Sequence, residues 1–202
     1  MGGCLGMIII DNFIKDLDFL KKIEVNEDFW RGGYSWYDGW WGQKASNLRE
    51  ELIEMLWAEN SPHPSVHTAG FEHWTHTFDY TNVQTKLDRE WALSLHFDKD
   101  EKLCADENRF VSPLIGTVFY PCREIDELQG GMLYHWEKFP PQRAQDNGLF
   151  WPEEEPEIIK PKFNRLIIFD AGCLHGVSKI ISGRRRAIAI NLWDKKPTEF
   201  ND

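Results

Sequence analysis

The chain is short of several things that would fix its class at once. It has four cysteines in 202 residues, and Cys4, Cys104, Cys122 and Cys173 are too scattered for any two to form the close pair of a metal-ligand motif. Free thiols in a reducing compartment fit that usage, so a cytoplasmic location is expected. No stretch approaches the roughly 20 apolar residues that span a bilayer. The longest apolar runs, Met7–Ile10 and Leu166–Phe169, have strand length. The opening lacks the basic start and apolar stretch of a secretion signal. Met1-Gly2-Gly3-Cys4 also misses the myristoylation pattern, because Gly6 stands where Ser or Thr is wanted. A short leader is the expectation. Basic charge is scarce too: 23 Lys and Arg against 33 Asp and Glu leave a formal net charge of −10. Such a surface repels phosphate backbones and anionic lipid, so neither nucleic acid nor membrane is expected as a partner.

What is present is core material. Apolar residues make up 42% of the chain and aromatics 14%, with ten tryptophans, which excludes general disorder. The length suits a single domain over 1–202, with helical support over 1–69 and a β core over 70–202. Met7–Ile10 reads as a short buried strand, and Asp11 or Asn12 can cap an amphipathic helix over Phe13–Ile23. The aromatic, glycine-rich stretch Trp30–Trp41 has no period and is expected as loop or irregular strand. Asn47–Ala58 returns to helix and ends at Ser61-Pro62-His63-Pro64. Strands are expected at Glu72–Phe78, Leu87–His96, Ser112–Tyr120, Gly131–Trp136, Asn164–Asp170, His175–Ile181 and Arg186–Trp193. The segment Phe139–Pro161, rich in Pro and Glu, reads as an exposed connection. Together these give an α+β, mostly β chain whose second part is a sandwich or barrel.

The chemistry gathers at four positions. His96 and Asp98 close one strand two residues apart, so both side chains point the same way. His175 follows the buried run Leu166–Phe169, and Arg185 lies ten residues further on at the start of the next strand. Two histidines and one carboxylate on one face of a metal form the facial triad of non-haem Fe(II) oxygenases. A guanidinium fork suits bidentate capture of a carboxylate.

From Leu87 to Trp193 the sequence resembles the Fe(II)/2-oxoglutarate-dependent dioxygenases, and among them the prolyl-4-hydroxylase-like group. The resemblance rests on His96-x-Asp98, the Gly130-Gly131-Met132-Leu133 strand, Pro161–Phe169, His175 and Gly183-x-Arg185 in that order, with an opening Ile8–Phe13 of similar character. It implies a double-stranded β-helix, a jelly-roll or cupin-like fold, with the N-terminal helices on the larger sheet. By the same resemblance His96, Asp98 and His175 are the iron ligands and Arg185 holds the far carboxylate of 2-oxoglutarate. Tyr120 is placed to assist that grip, with Thr117 as a rival, and Leu133 packs on the cosubstrate chain. The implied requirements are Fe(II), 2-oxoglutarate and O2, with ascorbate as a reductant.

The implied activity is hydroxylation of an unactivated C–H bond, with a prolyl or other side chain of a protein or peptide as substrate. The alternatives are a free amino acid or small metabolite as substrate, or a β-helix that binds without turnover. A nucleic-acid demethylase would carry a second arginine about six residues after the first, where this chain has Ile190, Asn191 and Leu192. Arg184 and Arg186 alternate away from Arg185, toward solvent or an acidic patch. His63, His67, His73 and His76 read as ordinary loop or partly buried residues. His135 shares a strand face with Leu133 and is a candidate to touch substrate or support a ligand. The Trp30–Trp41 stretch is either a lid or packing between helices and sheet. Oligomeric state is not legible.

Overall fold

The computed structural model describes residues 6–31, 33–58, 68–79, 91–137 and 154–201. The Met1–Cys4 leader, His63, His67, the 87–90 start of the fourth strand and most of Phe139–Pro161 therefore lie outside the described residues. The strands are β1 (Ile8–Asp11), β2 (Ser35–Tyr37), β3 (Gly70–Asp79), β4 (Trp91–His96), β5 (Ile115–Phe119), β6 (Gln129–Gly130), β7 (Leu133–Trp136), β8 (Glu157–Ile159), β9 (Arg165–Phe169), β10 (Leu174–Ser178), β11 (Ile180–Ser182) and β12 (Arg184–Trp193). The helices are α1 (Leu17–Val25), α2 (Glu27–Trp30), α3 (Leu48–Trp57) and α4 (Glu101–Glu107). A six-stranded sheet runs β1-β9-β5-β12-β3-β2, a four-stranded sheet runs β4-β10-β7-β8, and β11 pairs with β6. All the pairings are antiparallel. No helix among the described residues is long and apolar enough to cross a membrane.

Period-two alternation divides the larger sheet into two faces. Leu166, Ile168, Ile188, Ile190 and Leu192 turn one way and meet Leu20, Ile23, Leu52, Ile53 and Leu56 of α1 and α3. Ile167, Phe169 and Ala187 turn the other way and pack against Leu133 and Ile159 of the smaller sheet. Burying each such Leu or Ile contributes about 1.5–3 kcal/mol, so both interfaces are strongly held. The expected placement of the two long helices on the outer face of the larger sheet is what the structure has.

Several boundaries differ from the sequence reading. The first helix starts at Leu17, because the Asp16 carboxylate caps it by accepting from the Phe19 amide (2.9 Å), while Asn12 adopts φ +54 and ends β1. Met7–Ile10 is not a buried strand: β1 lies at the sheet edge with alternating exposure, and Asp11 there accepts from Arg165 (2.6 Å) and Lys162 (2.8 Å). Charge on an edge strand discourages further pairing. The Gly131–Trp136 strand begins only at Leu133, since Gly130 and Gly131 have φ +79 and +66. A Cβ on Gly130 would stand 2.1 Å from the Lys179 carbonyl oxygen. The expected His175–Ile181 strand divides at Lys179, where the chain leaves β7 and pairs with β6. Within the expected exposed connection, Glu157–Ile159 forms β8 against β7 with Ile159 buried. Helix α4 was not expected; it buries no residue, so it carries no apolar period to read.

Asn164 ties these parts together. It is buried at φ +57, its Oδ1 accepts from the Ile14 amide (2.9 Å) and its Nδ2 donates to the Ile14 carbonyl (2.8 Å). Its backbone amide donates to the carbonyl of Tyr120 (2.7 Å). Asn164→Ala strands two buried polar groups of Ile14 and removes a residue type that tolerates positive φ, so a loss of about 2–4 kcal/mol in urea unfolding is expected. A change within about 0.5 kcal/mol, the range of ordinary surface substitutions, would contradict this assignment.

Candidate functional site

The site is built by pairing of β10 with β4. Their register places His175 directly opposite His96, so the two imidazoles rise from one face with ring centroids 4.4 Å apart. Asp98 lies two residues past the end of β4, and its amide donates to the Ala171 carbonyl (3.2 Å) in the turn leading to His175. That bond folds the carboxylate back between the rings. Asp98 Oδ1 is 3.5 Å from His96 Nε2 and Oδ2 is 3.6 Å from His175 Nε2. Among the described residues, His96, Asp98 and His175 form the one group that could hold a metal, with ligand atoms all within 4.8 Å of one another.

Donor chemistry supports that use. Nδ1 of His96 is 2.7 Å from the Ser94 carbonyl and Nδ1 of His175 is 2.9 Å from the Cys173 carbonyl. A carbonyl can only accept, so Nδ1 carries a hydrogen in each ring; Nε2 faces Asp98 and is the nitrogen that can bind a metal once it is free of a proton. Ligand atoms about 2.1 Å from one ion lie no more than about 4.2 Å apart, so the set, whose atoms are within 4.8 Å of one another, would draw together to hold a metal. Asn191 Nδ2 donates to Asp98 Oδ2 (3.1 Å) and steadies the carboxylate.

Protonation states follow from position. Burial pushes the His175 imidazole down to about 4, against the pull of Asp98. Burial alone would raise the Asp98 carboxyl, yet His175, His96 and Asn191 hold it down to about 2. Burial opposes protonation of His96 as well, but the bonded Asp98 carboxylate outweighs it and raises that imidazole above its ordinary value.

In the same cleft lies Arg185, 2% exposed. Its Nη2 donates to the Tyr120 hydroxyl (3.0 Å) and its Nε to the Gly131 carbonyl (3.3 Å), with the guanidinium 5.2 Å from the Tyr120 ring centroid. No carboxylate among the described residues pairs with it. A guanidinium buried without a counter-charge is costly, which marks this end of the cleft as a seat for an anion. Leu133, Phe169 and Val177 wall the cleft between the sheets. The enclosed volume is about 30 Å³, so a ligand larger than a few waters must displace these side chains.

The structure thus brings His96, Asp98, His175, Arg185, Tyr120 and Leu133 to one region between the sheets. Thr117 borders the cleft, but it pairs with Ile168 and Ile190, whose side chains face the helices, so its hydroxyl lies on that side and not beside Arg185. Arg186 points away from the cleft to Glu124, the Glu24 carbonyl (2.9 Å) and the Trp30 ring, as alternation requires. Arg184 lies 3.7 Å from Asp79. His135 on β7 sits directly opposite His175 and against the Phe169 ring at 5.4 Å. Most of Trp30–Trp41 packs: Trp30 donates to the Ile23 carbonyl, Tyr37 is buried, and Trp40 and Trp41 lie on Phe71. Tyr34 differs, since it lies 4.8 Å from Trp74 at the cleft.

Two cleft residues escaped the sequence reading. His76 lines the site and accepts from the Trp74 indole, and Asn191 holds Asp98. The signal for His76 was available: it shares a face of β3 with Trp74, and their partners on β12 are the small Ala187 and Ala189, which leave space.

No family model and no curated protein matches the sequence. Among solved structures, the chain is similar to a prolyl-4-hydroxylase from Pseudomonas putida, with a TM-score of 0.57, 12% identity, and 95% of this chain and 89% of that one covered. It is also similar to an oxidoreductase of the 2OG-Fe(II) oxygenase family from Burkholderia pseudomallei, with a TM-score of 0.54, 9% identity, and coverage of 95% and 86%. At such identity the likeness establishes the shared fold.

Metal binding must displace the proton that Asp98 stabilises on His96, so affinity should fall as pH drops through that raised value, while Asp98 and His175 do not titrate near neutrality. Calorimetry with Mn(II) in buffers of differing ionisation enthalpy should show proton release that grows toward acid pH. Asn191→Ala should weaken Mn(II) about tenfold or more by freeing the carboxylate. Proton-neutral binding at pH 6 and unchanged affinity in the variant would contradict this account.

Proposed function

We propose that the protein is an Fe(II)- and 2-oxoglutarate-dependent dioxygenase that hydroxylates an unactivated C–H bond, built on a double-stranded β-helix. One observation carries the reading: a His96–Asp98–His175 donor set and a buried guanidinium with no counter-charge among the described residues share one cleft. The likeness to the two solved structures supports the fold half of the proposal.

When bound, Fe(II) and 2-oxoglutarate supply the oxidising chemistry, in which O2 is consumed, the cosubstrate becomes succinate and CO2, and a C–H bond becomes C–OH. The protein's residues do the rest. His96 and His175 offer Nε2 because their Nδ1 hydrogens are engaged by Ser94 and Cys173. Asp98 contributes the negative charge, with Asn191 fixing one oxygen. Arg185 takes the far carboxylate of the diacid, and Tyr120 keeps the fork oriented. Leu133 and Val177 exclude water from the diacid chain. A carboxylate ligand at Asp98 occupies the position that a halide would need, which favours hydroxylation over halogenation. A prolyl or other side chain of a protein or peptide is the proposed substrate class, and a free amino acid or small metabolite is the alternative within the same chemistry.

Incubation with 2-oxoglutarate, Fe(II) and ascorbate against a panel of peptides and metabolites should give succinate and a product heavier by one oxygen. Asp98→Ala should give neither, and turnover by that variant at the normal rate would contradict the ligand set. Arg185→Ala should weaken 2-oxoglutarate binding by about ten- to a hundredfold, the ~1.5–3 kcal/mol of a charge-assisted pair. Equal affinities would remove Arg185 from its role.

A further inference from the structure

One buried carboxylate beside the cleft has no part in the proposed chemistry. Alternation puts Glu72, Trp74 and His76 on one face of β3, and Trp74 and His76 line the cleft. Glu72 continues that row toward the donor set. It is 6% exposed and stands directly opposite Asn191 of β12. Its partners are neutral: the Trp193 indole donates to Oε2 (3.0 Å), and the Asn191 side chain bonds the carboxylate as well. Burial above all, with Asp98 nearby, pushes this carboxyl up to about 7 against the pull of those two bonds. A carboxylate buried on neutral donors alone is costly, so its place next to a ligand calls for a reason.

Asn191 supplies that reason. It is 2% exposed, and its Nδ2 donates to Asp98 Oδ2 (3.1 Å). A hydrogen bond holds a carboxyl down only where the carboxylate accepts, so Asn191 donates to Glu72 too, and Nδ2 is the only donor its side chain has. The two hydrogens of Nδ2 thus serve two carboxylates. On its other side Asn191 faces Gly116 of β5, which has no side chain to brace it. Lateral support must come from β3, and the residue there is Glu72. With both carboxylates ionised, a flipped amide would turn Oδ1 toward acceptors that have no hydrogen to give. The bonds then form one line: Trp193 donates to Glu72, and Asn191 donates to Glu72 and to Asp98.

We propose that Glu72 is a positioning residue for the metal site: it accepts the second Nδ2 hydrogen of Asn191 and thereby fixes the donor that holds Asp98 Oδ2. It acts through Asn191 and is not itself a ligand. Trp193 in turn keeps the Glu72 carboxylate in place. The role rests on the ligand set proposed above, and it adds a residue from β3 to a site otherwise built from β4, β10 and β12.

The test is a double-variant cycle read by Mn(II) calorimetry on the full-length protein at pH 8, above the titration of Glu72. Glu72→Gln keeps an acceptor for Trp193 but sets an amide that can donate against Asn191, so Mn(II) affinity should fall about tenfold. In the Asn191→Ala background the same change should cost less than about twofold, because the residue through which Glu72 acts is gone. In the metal-free protein, NMR should show the Asn191 carboxamide hydrogens exchanging with water about tenfold faster in Glu72→Gln than in the wild type. If Glu72→Gln does not fold, Trp193→Phe serves in its place, with a loss of about threefold that again vanishes without Asn191. A wild type that binds no Mn(II) overturns the ligand set and this role with it. A wild type that binds, with Glu72→Gln binding equally well, with carboxamide exchange unchanged, or with the loss persisting in full without Asn191, overturns the role of Glu72 alone.

Discussion

The structure depends most on one strand register. Because β10 pairs with β4 so that His175 faces His96, two histidines 79 positions apart become neighbours whose free nitrogens aim at the same carboxylate. A slip of one residue would turn every side chain of β10 to the other face, sending His175 out of the cleft toward Trp136 and Phe97 and putting Leu174 in its place. The register is held from the opposite edge as well, where β7 sets His135 across from His175 and Leu133 across from Val177. The apolar layer formed by Leu133, Phe169, Ile159 and Ala187 is therefore what locates the donor set.

The second constraint is electrostatic. Arg185 is buried at the start of β12 and, among the described residues, bonded only to a phenol and a carbonyl, which solvate its charge without neutralising it. Asp98 is likewise held ionised by the imidazoles and Asn191. A folded chain tolerates such charges where a ligand repays the cost of burying them. One cleft thus sets a candidate donor set for a cation at one end and a guanidinium at the other, the arrangement that the proposed metal-chelating diacid would use. Asn164, by holding the Tyr120 carbonyl and the Ile14 backbone together, extends that order from the cleft to the helices.

What could be read from the residues alone follows from how far each signal reaches. His96 and Asp98 were legible as a same-face pair because alternation is local, while their association with His175 and Arg185 rested on the family resemblance; β9 and β12 announced themselves by apolar runs and β3 by its aromatic and β-branched residues. Tyr120 could not be separated from Thr117, because the choice turns on where β5 ends, and strand ends are set by tertiary bonds such as that from Asn164 to Tyr120. Asn191 looked unremarkable since its partner, Asp98, is 93 residues away. Helix α4 and strand β8 are short and mostly exposed, so their sequences carry no period.

The central proposal is that His96, Asp98 and His175 would hold Fe(II) and that Arg185 would hold 2-oxoglutarate beside it. Anaerobic titration of the Fe(II)-loaded protein with 2-oxoglutarate tests it directly, because chelation of ferrous iron by a 2-oxo acid produces a visible charge-transfer absorption. The account predicts that this band grows to saturation at one equivalent in the wild type and is absent in a His175→Ala variant that remains folded. A wild-type protein that binds both components without developing the band, or a His175→Ala protein that develops it in full, would contradict the account.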